Sequence, residues 1–124
     1  MPAAQIIGVV DDDPSILRAL RRLLRLSGFD VRTFGSGEEL LGWEGLGTVD
    51  CLVLDVNLAG LSGFEVQERL SDVKMSIPIV FITAHDDATT RERAERAGHA
   101  RYLRKPFDQH ALIGEIQKAL GTPS

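Results

Sequence analysis

The chain has 124 residues, 44% of them hydrophobic and 26% charged, with a formal net charge of −4. That length supports one globular domain able to bury a core without disulfides or metals as staples. The acidic balance gives no ground for direct nucleic-acid binding, no apolar run is long enough to span a membrane, and Met1-Pro2-Ala3-Ala4-Gln5 does not read as a signal peptide.

Strand and helix patterns alternate from end to end, which predicts an α/β domain. A first strand is expected at residues 5–10, then a helix over 14–26 with Asp13 as its N-cap and Pro14 in the first helical position. Leu17, Leu20, Leu23 and Leu24 form that helix's apolar face, Arg18, Arg21, Arg22 and Arg25 lie largely opposite, and Gly28 is placed to end it. A second strand is expected at 30–34. A helix over 36–46 follows, with Ser36 and Glu39 spaced as a capping box. The third strand, 51–55, contains the only cysteine, Cys51, which cannot form an internal disulfide and fits a reducing cytoplasm as a buried packing residue. A helix over 62–72 turns Val66 and Leu70 inward, and a fourth strand spans 78–82 with Pro78 leading it. The helix expected at 87–97, stopped by Gly98, buries mainly Ala88, Ala94 and Ala97 and should be weakly anchored. A short strand at 100–103 and a helix over 108–120 complete the pattern, the helix facing inward with Leu112, Ile113, Ile116, Ala119 and Leu120. Right-handed crossovers then give a five-stranded parallel sheet between helices.

Four of the apolar runs lead into chemistry. Ile6-Ile7-Gly8-Val9-Val10 runs into Asp11-Asp12-Asp13, Cys51-Leu52-Val53-Leu54 into Asp55, Ile79-Val80-Phe81-Ile82 into Thr83, and Arg101-Tyr102-Leu103-Arg104 into Lys105-Pro106. Open parallel sheets bind ligands at the carboxyl ends of their strands, so Asp11, Asp12, Asp55, Thr83 and Lys105 are expected at one edge. Carboxylates there suit magnesium (or manganese), which takes oxygen ligands, waters and a substrate phosphate. A carboxylate such as Asp55 can be the nucleophile in phosphoryl transfer, with lysine and metal neutralising charge on the transferred oxygens and Thr83 offering a hydroxyl. Each residue also has a plainer reading: Asp13 and its neighbours as helix caps, Asp55 as a turn aspartate, Thr83 as a β-branched strand residue, Lys105 as a solvated lysine. The convergence of four strand ends on one chemistry favours the site. No dinucleotide fingerprint, phosphate-binding loop, serine nucleophile elbow or histidine metal spacing is present; His99 and His110 read as solvated positions.

Over about residues 5–120 the chain resembles a receiver domain of a two-component response regulator. The resemblance rests on Val10-Asp11-Asp12-Asp13, Leu54-Asp55-Val56-Asn57 with Gly63 eight residues after Asp55, Phe81-Ile82-Thr83-Ala84 and Tyr102-Leu103-Arg104-Lys105-Pro106. The runs ending in His85 and Phe107 resemble the FixJ-like branch, whose members often carry a DNA-binding output domain. The resemblance implies a doubly wound, flavodoxin-like sheet of strand order 2-1-3-4-5. It implies that Asp55 accepts a phosphoryl group from a phosphohistidine on a sensor histidine kinase. Asp11, Asp12, Asp55 and the Asn57 backbone carbonyl would bind magnesium, Lys105 would pair with the phosphoryl group, Thr83 and Tyr102 would form a switch pair, and the Lys105–Pro106 bond would be cis. Asn57 and His85 would tune the lifetime of the phosphorylated state. The switched face, helix four with strand five and helix five, would control an output domain or effector, or a phosphorylation-dependent homodimer in which Arg91, Arg93, Arg96 and Arg101 make salt bridges.

Two departures from the family pattern stand out. Leu58-Ala59 replaces the frequent Met-Pro, which suggests a looser loop, and Gly98-His99-Ala100-Arg101 replaces a small-residue stretch. Other readings remain open: a degenerate receiver acting only as an interaction module, an aspartate-nucleophile phosphatase, for which Asn57 stands where a second acid is expected, and a flavin-binding protein of similar fold. Gly121-Thr122-Pro123-Ser124 reads as a tail or the start of a linker, so the chain is expected to be a single receiver domain.

Overall fold

The computed structural model describes residues 4–84, 88–96 and 101–121. Strands β1 (Ile6–Val10), β2 (Asp30–Phe34), β3 (Cys51–Asp55), β4 (Ile79–Thr83) and β5 (Tyr102–Arg104) pair in parallel in the order β2-β1-β3-β4-β5. The expected strand order is therefore observed. The chain steps outward from β1 in one direction and from β3 in the other, so the crevice between the ends of β1 and β3 is the switch point where such sheets bind ligands. Helices α1 (Pro14–Leu26), α2 (Gly37–Leu41), α3 (Gly63–Asp72), α4 (Ala88–Arg96) and α5 (Gln109–Ala119) cover the two faces.

Strand alternation divides the interior into two cores. Ile7, Val9, Val53, Val80 and Ile82 pack with Leu20 and Leu24 of α1 and with Leu112 and Ile116 of α5. Val10, Leu52, Leu54 and Phe81 pack on the other side with Leu40, Phe64, Val66, Leu70 and Ala94 of α2, α3 and α4. Cys51 belongs to the first core, where burial pushes its thiol up to about 12, so it packs rather than reacts.

Local signals explain most boundaries. Asp13 accepts from the Ser15 N–H at 2.9 Å, and Gly28, at φ +95°, closes α1 with paired bonds from the Gly28 and Phe29 N–H groups to Arg25 and Leu24. Ser62 and Glu65 form a reciprocal capping box at the start of α3.

The second helix departs from expectation. It ends at Leu41, and a 3-10 helix at Glu44–Thr48 replaces the remainder. Gly42, Gly45 and Gly47 weaken helix continuation by about 1 kcal/mol each relative to alanine. Trp43 turns extended, at φ −81° and ψ 128°, and sets its ring 5.4 Å from that of Phe34. Glu39 does not complete a capping box either: Ser36 accepts from the Glu39 N–H, but the Glu39 carboxylate reaches one residue further, to the Gly35 N–H at 2.9 Å.

Both late strands sit further along the chain than the apolar runs suggest. Pro78 lies before β4, its carbonyl accepting from the Leu52 N–H at 2.9 Å, and Thr83 is inside the strand. β5 extends to Arg104 because the Lys105 N–H donates to the Thr83 carbonyl at 2.7 Å. In α4 the helix buries Ala94 but leaves Ala88 exposed; Ala97 and Gly98 lie outside the described residues. Arg93 adds an anchor with its guanidinium 4.6 Å from the centre of the Phe64 ring.

Candidate functional site: a lysine between two buried carboxylates

The ends of β1, β3, β4 and β5 bring Asp11, Asp55, Thr83 and Lys105 together. Asp11 and Thr83 are 0% exposed and Asp55 is 3% exposed, in contrast to Asp12, which faces solvent. Lys105 donates from Nζ to Asp11 Oδ2 at 2.7 Å and to Asp55 Oδ2 at 3.1 Å. The second oxygen of each carboxylate is held by an N–H two residues on: Asp13 to Asp11 Oδ1 at 2.9 Å, and Asn57 to Asp55 Oδ1 at 3.0 Å. Each of these two carboxylates thus has one local backbone donor and shares the lysine.

Burial raises the Asp55 carboxyl above its ordinary range and nearby Asp11 adds to the rise, against the opposing pull of the Asn57 N–H and Lys105. For Lys105, burial acts to lower the ammonium, but hydrogen bonds to Asp11 and Asp55 outweigh it and the net direction is upward. A folded-state carboxyl above its ordinary value of 3.8 binds its proton more tightly than in the unfolded chain. Its contribution to stability is then fullest below that ordinary value and is lost as pH rises through the folded one. Asp55→Asn should therefore raise the thermal midpoint at pH 7 by a few degrees, about 1 kcal/mol, with the gain disappearing in acid. A lower midpoint at pH 7, measured by calorimetry, would contradict this.

The donor set fits a hard divalent cation. One carboxylate oxygen from each of Asp11, Asp12 and Asp55 lies within 4.8 Å of the others, and all are oxygens. Asp12 is aimed by the loop after β3, because Ala59 donates its N–H to Asp12 Oδ2 at 3.3 Å. Leu58 is buried in the second core. That loop, which the absence of a proline suggested would be looser, is thus tied at two points.

Gly63 holds the end of β3 close against the start of α3. It is the first residue of α3, its N–H donates to the Val56 carbonyl at 3.0 Å, and a Cβ there would meet the Asp55 carbonyl oxygen at 2.5 Å. Its motif spacing from Asp55 was the available signal, but not its reason.

Thr83 and Tyr102 lie on neighbouring strands. Phe81 is opposite Tyr102 and Thr83 opposite Arg104. Phe81 and Tyr102 face the second core, and Thr83, two residues after Phe81, shares that face with α4. Asn57 donates from Nδ2 to Thr83 Oγ1 at 3.0 Å, a side-chain contact across 26 residues that no periodicity reveals. The Lys105–Pro106 bond is cis, as expected. His85 lies outside the described residues.

Known proteins resemble this chain in sequence and fold. The sequence pattern of the family described as the response regulator receiver domain matches residues 7–117. Nodulation protein W of Bradyrhizobium diazoefficiens is 41% identical over 114 residues, 92% of this chain and 50% of that protein. Response regulator protein TmoT of Ectopseudomonas mendocina is 38% identical over 115 residues, 93% of this chain and 52% of that protein. The chain thus spans about half the length of these curated relatives. Among solved structures, the response regulator StyR superposes with a TM-score of 0.85 at 43% identity, over 96% of this chain and 60% of StyR. Chemotaxis protein CheY4 of Vibrio cholerae superposes with a TM-score of 0.85 at 26% identity, over 95% of this chain and all of that one. The chain belongs to the response regulator receiver domains, the signalling switches of two-component systems.

Proposed function

We propose that Asp55 accepts a phosphoryl group from the phosphohistidine of a sensor histidine kinase, and that Thr83 and Tyr102 relay the modification to the surface formed by α4, β5 and α5. The observation that carries this reading is Lys105 Nζ spanning Asp11 and Asp55 in the switch-point crevice. In the transfer an Asp55 oxygen forms the new O–P bond as the P–N bond breaks, and the electron pair leaves on the imidazole nitrogen, which takes up a proton. Asp11, Asp12, Asp55 and the Asn57 backbone carbonyl would hold magnesium, which when bound neutralises charge on the phosphoryl oxygens. Lys105 is placed to follow the phosphoryl group, and the Asn57 N–H orients the carboxylate.

The added group carries about −1.5 to −2 charges and three acceptor oxygens. Driving a two-state switch from 1:99 to 99:1 takes about 5.5 kcal/mol of differential stabilisation. A charge-assisted bond from the Thr83 hydroxyl supplies roughly 1.5–3 kcal/mol, so the Lys105 contact must contribute too. Helix α4 suits the moving part, since Ala94 is its one buried residue among those described.

In this reading the chain is a single receiver domain and a switch rather than a turnover enzyme. Asn57, in place of an acid two residues after Asp55, speaks against a phosphatase, and Asn57 and His85 tune the phosphoryl lifetime. Relatives about twice as long include the transcriptional regulatory protein TdiR of Thauera aromatica, 35% identical over 117 residues, 94% of this chain and 52% of that protein. Such relatives, named as transcriptional regulators, support a gene-regulatory output in a longer protein; the FixJ-like assignment, a DNA-binding form of that output and a cytoplasmic setting belong to the same proposal. No described helix is long and apolar enough to cross a membrane. A phosphorylation-dependent homodimer through α4, β5 and α5 is part of the same proposal, although Arg93, Arg96 and Arg101 already meet Phe64, Glu92 and Glu115 within the chain.

Incubation with acetyl phosphate and magnesium should add one phosphoryl group by intact mass, and the adduct should vanish in Asp55→Asn and without the metal. A wild-type chain that stays unmodified would favour the degenerate receiver.

A further inference from the structure

Asn57 touches both halves of the switch. Its main-chain N–H donates to Asp55 Oδ1 at 3.0 Å, and its side-chain Nδ2 donates to Thr83 Oγ1, also at 3.0 Å. Thr83 is fully buried, and its carbonyl accepts from the Lys105 N–H at 2.7 Å. Asn57 thus links, through its backbone on one side and its side chain on the other, the phosphoryl-accepting carboxylate to the threonine expected to report on it. We propose that Asn57 is a positioning residue that latches Thr83 in the resting state and lets go when phosphoryl oxygens appear at Asp55. This rests on the reading of Thr83 as the switch residue.

The physical basis is a competition between acceptors. In the resting site the Asn57 amide donates to a neutral hydroxyl oxygen. A phosphoryl group on Asp55 places charged oxygens beside the same amide, and hydrogen bonds to an ionised acceptor are roughly twice as strong as neutral ones. The amide then changes partner, the bond from Asn57 no longer holds Thr83, and its hydroxyl turns toward another phosphoryl oxygen. One modification therefore both releases the threonine and attracts it. This latch acts on the resting equilibrium and is separate from any effect of Asn57 on hydrolysis.

The test uses amide NMR shifts of Tyr102 and Ala94 in the whole chain, with magnesium and beryllium fluoride as the phosphoryl mimic defining the switched end point. Wild type, Asn57→Ala, Thr83→Ala and the double variant form a cycle. Without the mimic, Asn57→Ala should raise the switched population by roughly 2–10-fold, the span of one neutral hydrogen bond. The double variant should match Thr83→Ala alone. Asn57→Asp should restore the low resting population, because its carboxylate can accept from the Thr83 O–H. A merely structural role would lower stability without moving this population.

The latch is overturned if Asn57→Ala leaves the resting population unchanged, or raises it equally in the Thr83→Ala background. If the mimic switches wild type and Thr83→Ala blocks that response, such a result removes the latch and leaves the switch reading standing. If the mimic fails to move Tyr102 and Ala94 in wild type, the switch reading and the latch fall together.

Discussion

Lys105→Met should lower the stability of the chain at pH 7 by about 3 kcal/mol, the lower end of the range for breaking a buried ion pair. The lower end applies because Lys105 keeps 18% of its side chain exposed and methionine preserves most of the apolar stem. Without the ammonium, Asp11 and Asp55 face one another, and among the described residues the Asp13 and Asn57 N–H groups are what offset them. The pH dependence has a defined sign. The wild-type lysine is raised above its ordinary 10.5, so its stabilising contribution is full below that value and is lost as pH climbs through the folded one. The gap between wild type and Lys105→Met should therefore be widest from neutral pH to about pH 10, and should shrink in acid, where Asp55 takes up its proton and no longer repels Asp11. Adduct formation from acetyl phosphate should slow by roughly 100-fold, as for removal of one preorganised donor to developing charge. Urea unfolding at pH 7 and pH 4 checks the first part, and a gap equal at both pH values would contradict it.

Gly63→Ala should act on the same site from the backbone side. The new Cβ would lie 2.5 Å from the Asp55 carbonyl oxygen, 2.9 Å from the Val56 Cα and 3.1 Å from the Asp55 carbonyl carbon. All three atoms are main chain, so no side-chain rotation relieves the contact; either α3 or the end of β3 must move. Overpacking of this kind costs about 1–3 kcal/mol. Displacing a nucleophile by about 1 Å can slow its reaction roughly 100-fold, so phosphorylation should suffer more than the fold does. The matching substitution Gly114→Ala is the control. Nothing lies within 4 Å of a Cβ at Gly114, in the interior of α5. It should stabilise the chain by about 0.5–1 kcal/mol and leave phosphorylation unchanged. Parallel thermal melts and adduct rates separate the two, and equal effects at both glycines would refute the close-contact explanation.

The contrast between these glycines shows what a sequence can and cannot convey. Asp13-Pro14 and Gly28 mark the ends of α1 because caps are local chemistry, legible from a few neighbouring residues. The apolar runs of β1, β3 and β4 are legible because both faces of a central parallel sheet are buried. Asp11, Asp55, Thr83 and Lys105 follow from those runs, since a shared strand direction sends all their ends to one edge. The second helix misleads because Leu40, Leu41 and Leu46 keep an apolar rhythm through Gly42 and Gly45, while the extended backbone of Trp43 is set by its packing against Phe34. The closeness of Gly63 to Asp55 and of Asn57 to Thr83 comes from the folding of separate segments against each other, and hydrophobic spacing carries no trace of either. The same holds for the Ala59 N–H on Asp12, a donor that a proline at that position would remove.

The claim that Asp55 is the phosphoryl acceptor is most directly tested by reductive trapping. Borohydride reduces an acyl phosphate to an alcohol, so treating the chain after acetyl phosphate and magnesium leaves homoserine where the phosphoryl group was attached. Peptide mass spectrometry should find homoserine in place of Asp55, with Asp11 and Asp12 intact. Homoserine in place of Asp11 or Asp12, or none at all in a chain that has gained phosphoryl mass, would contradict the assignment.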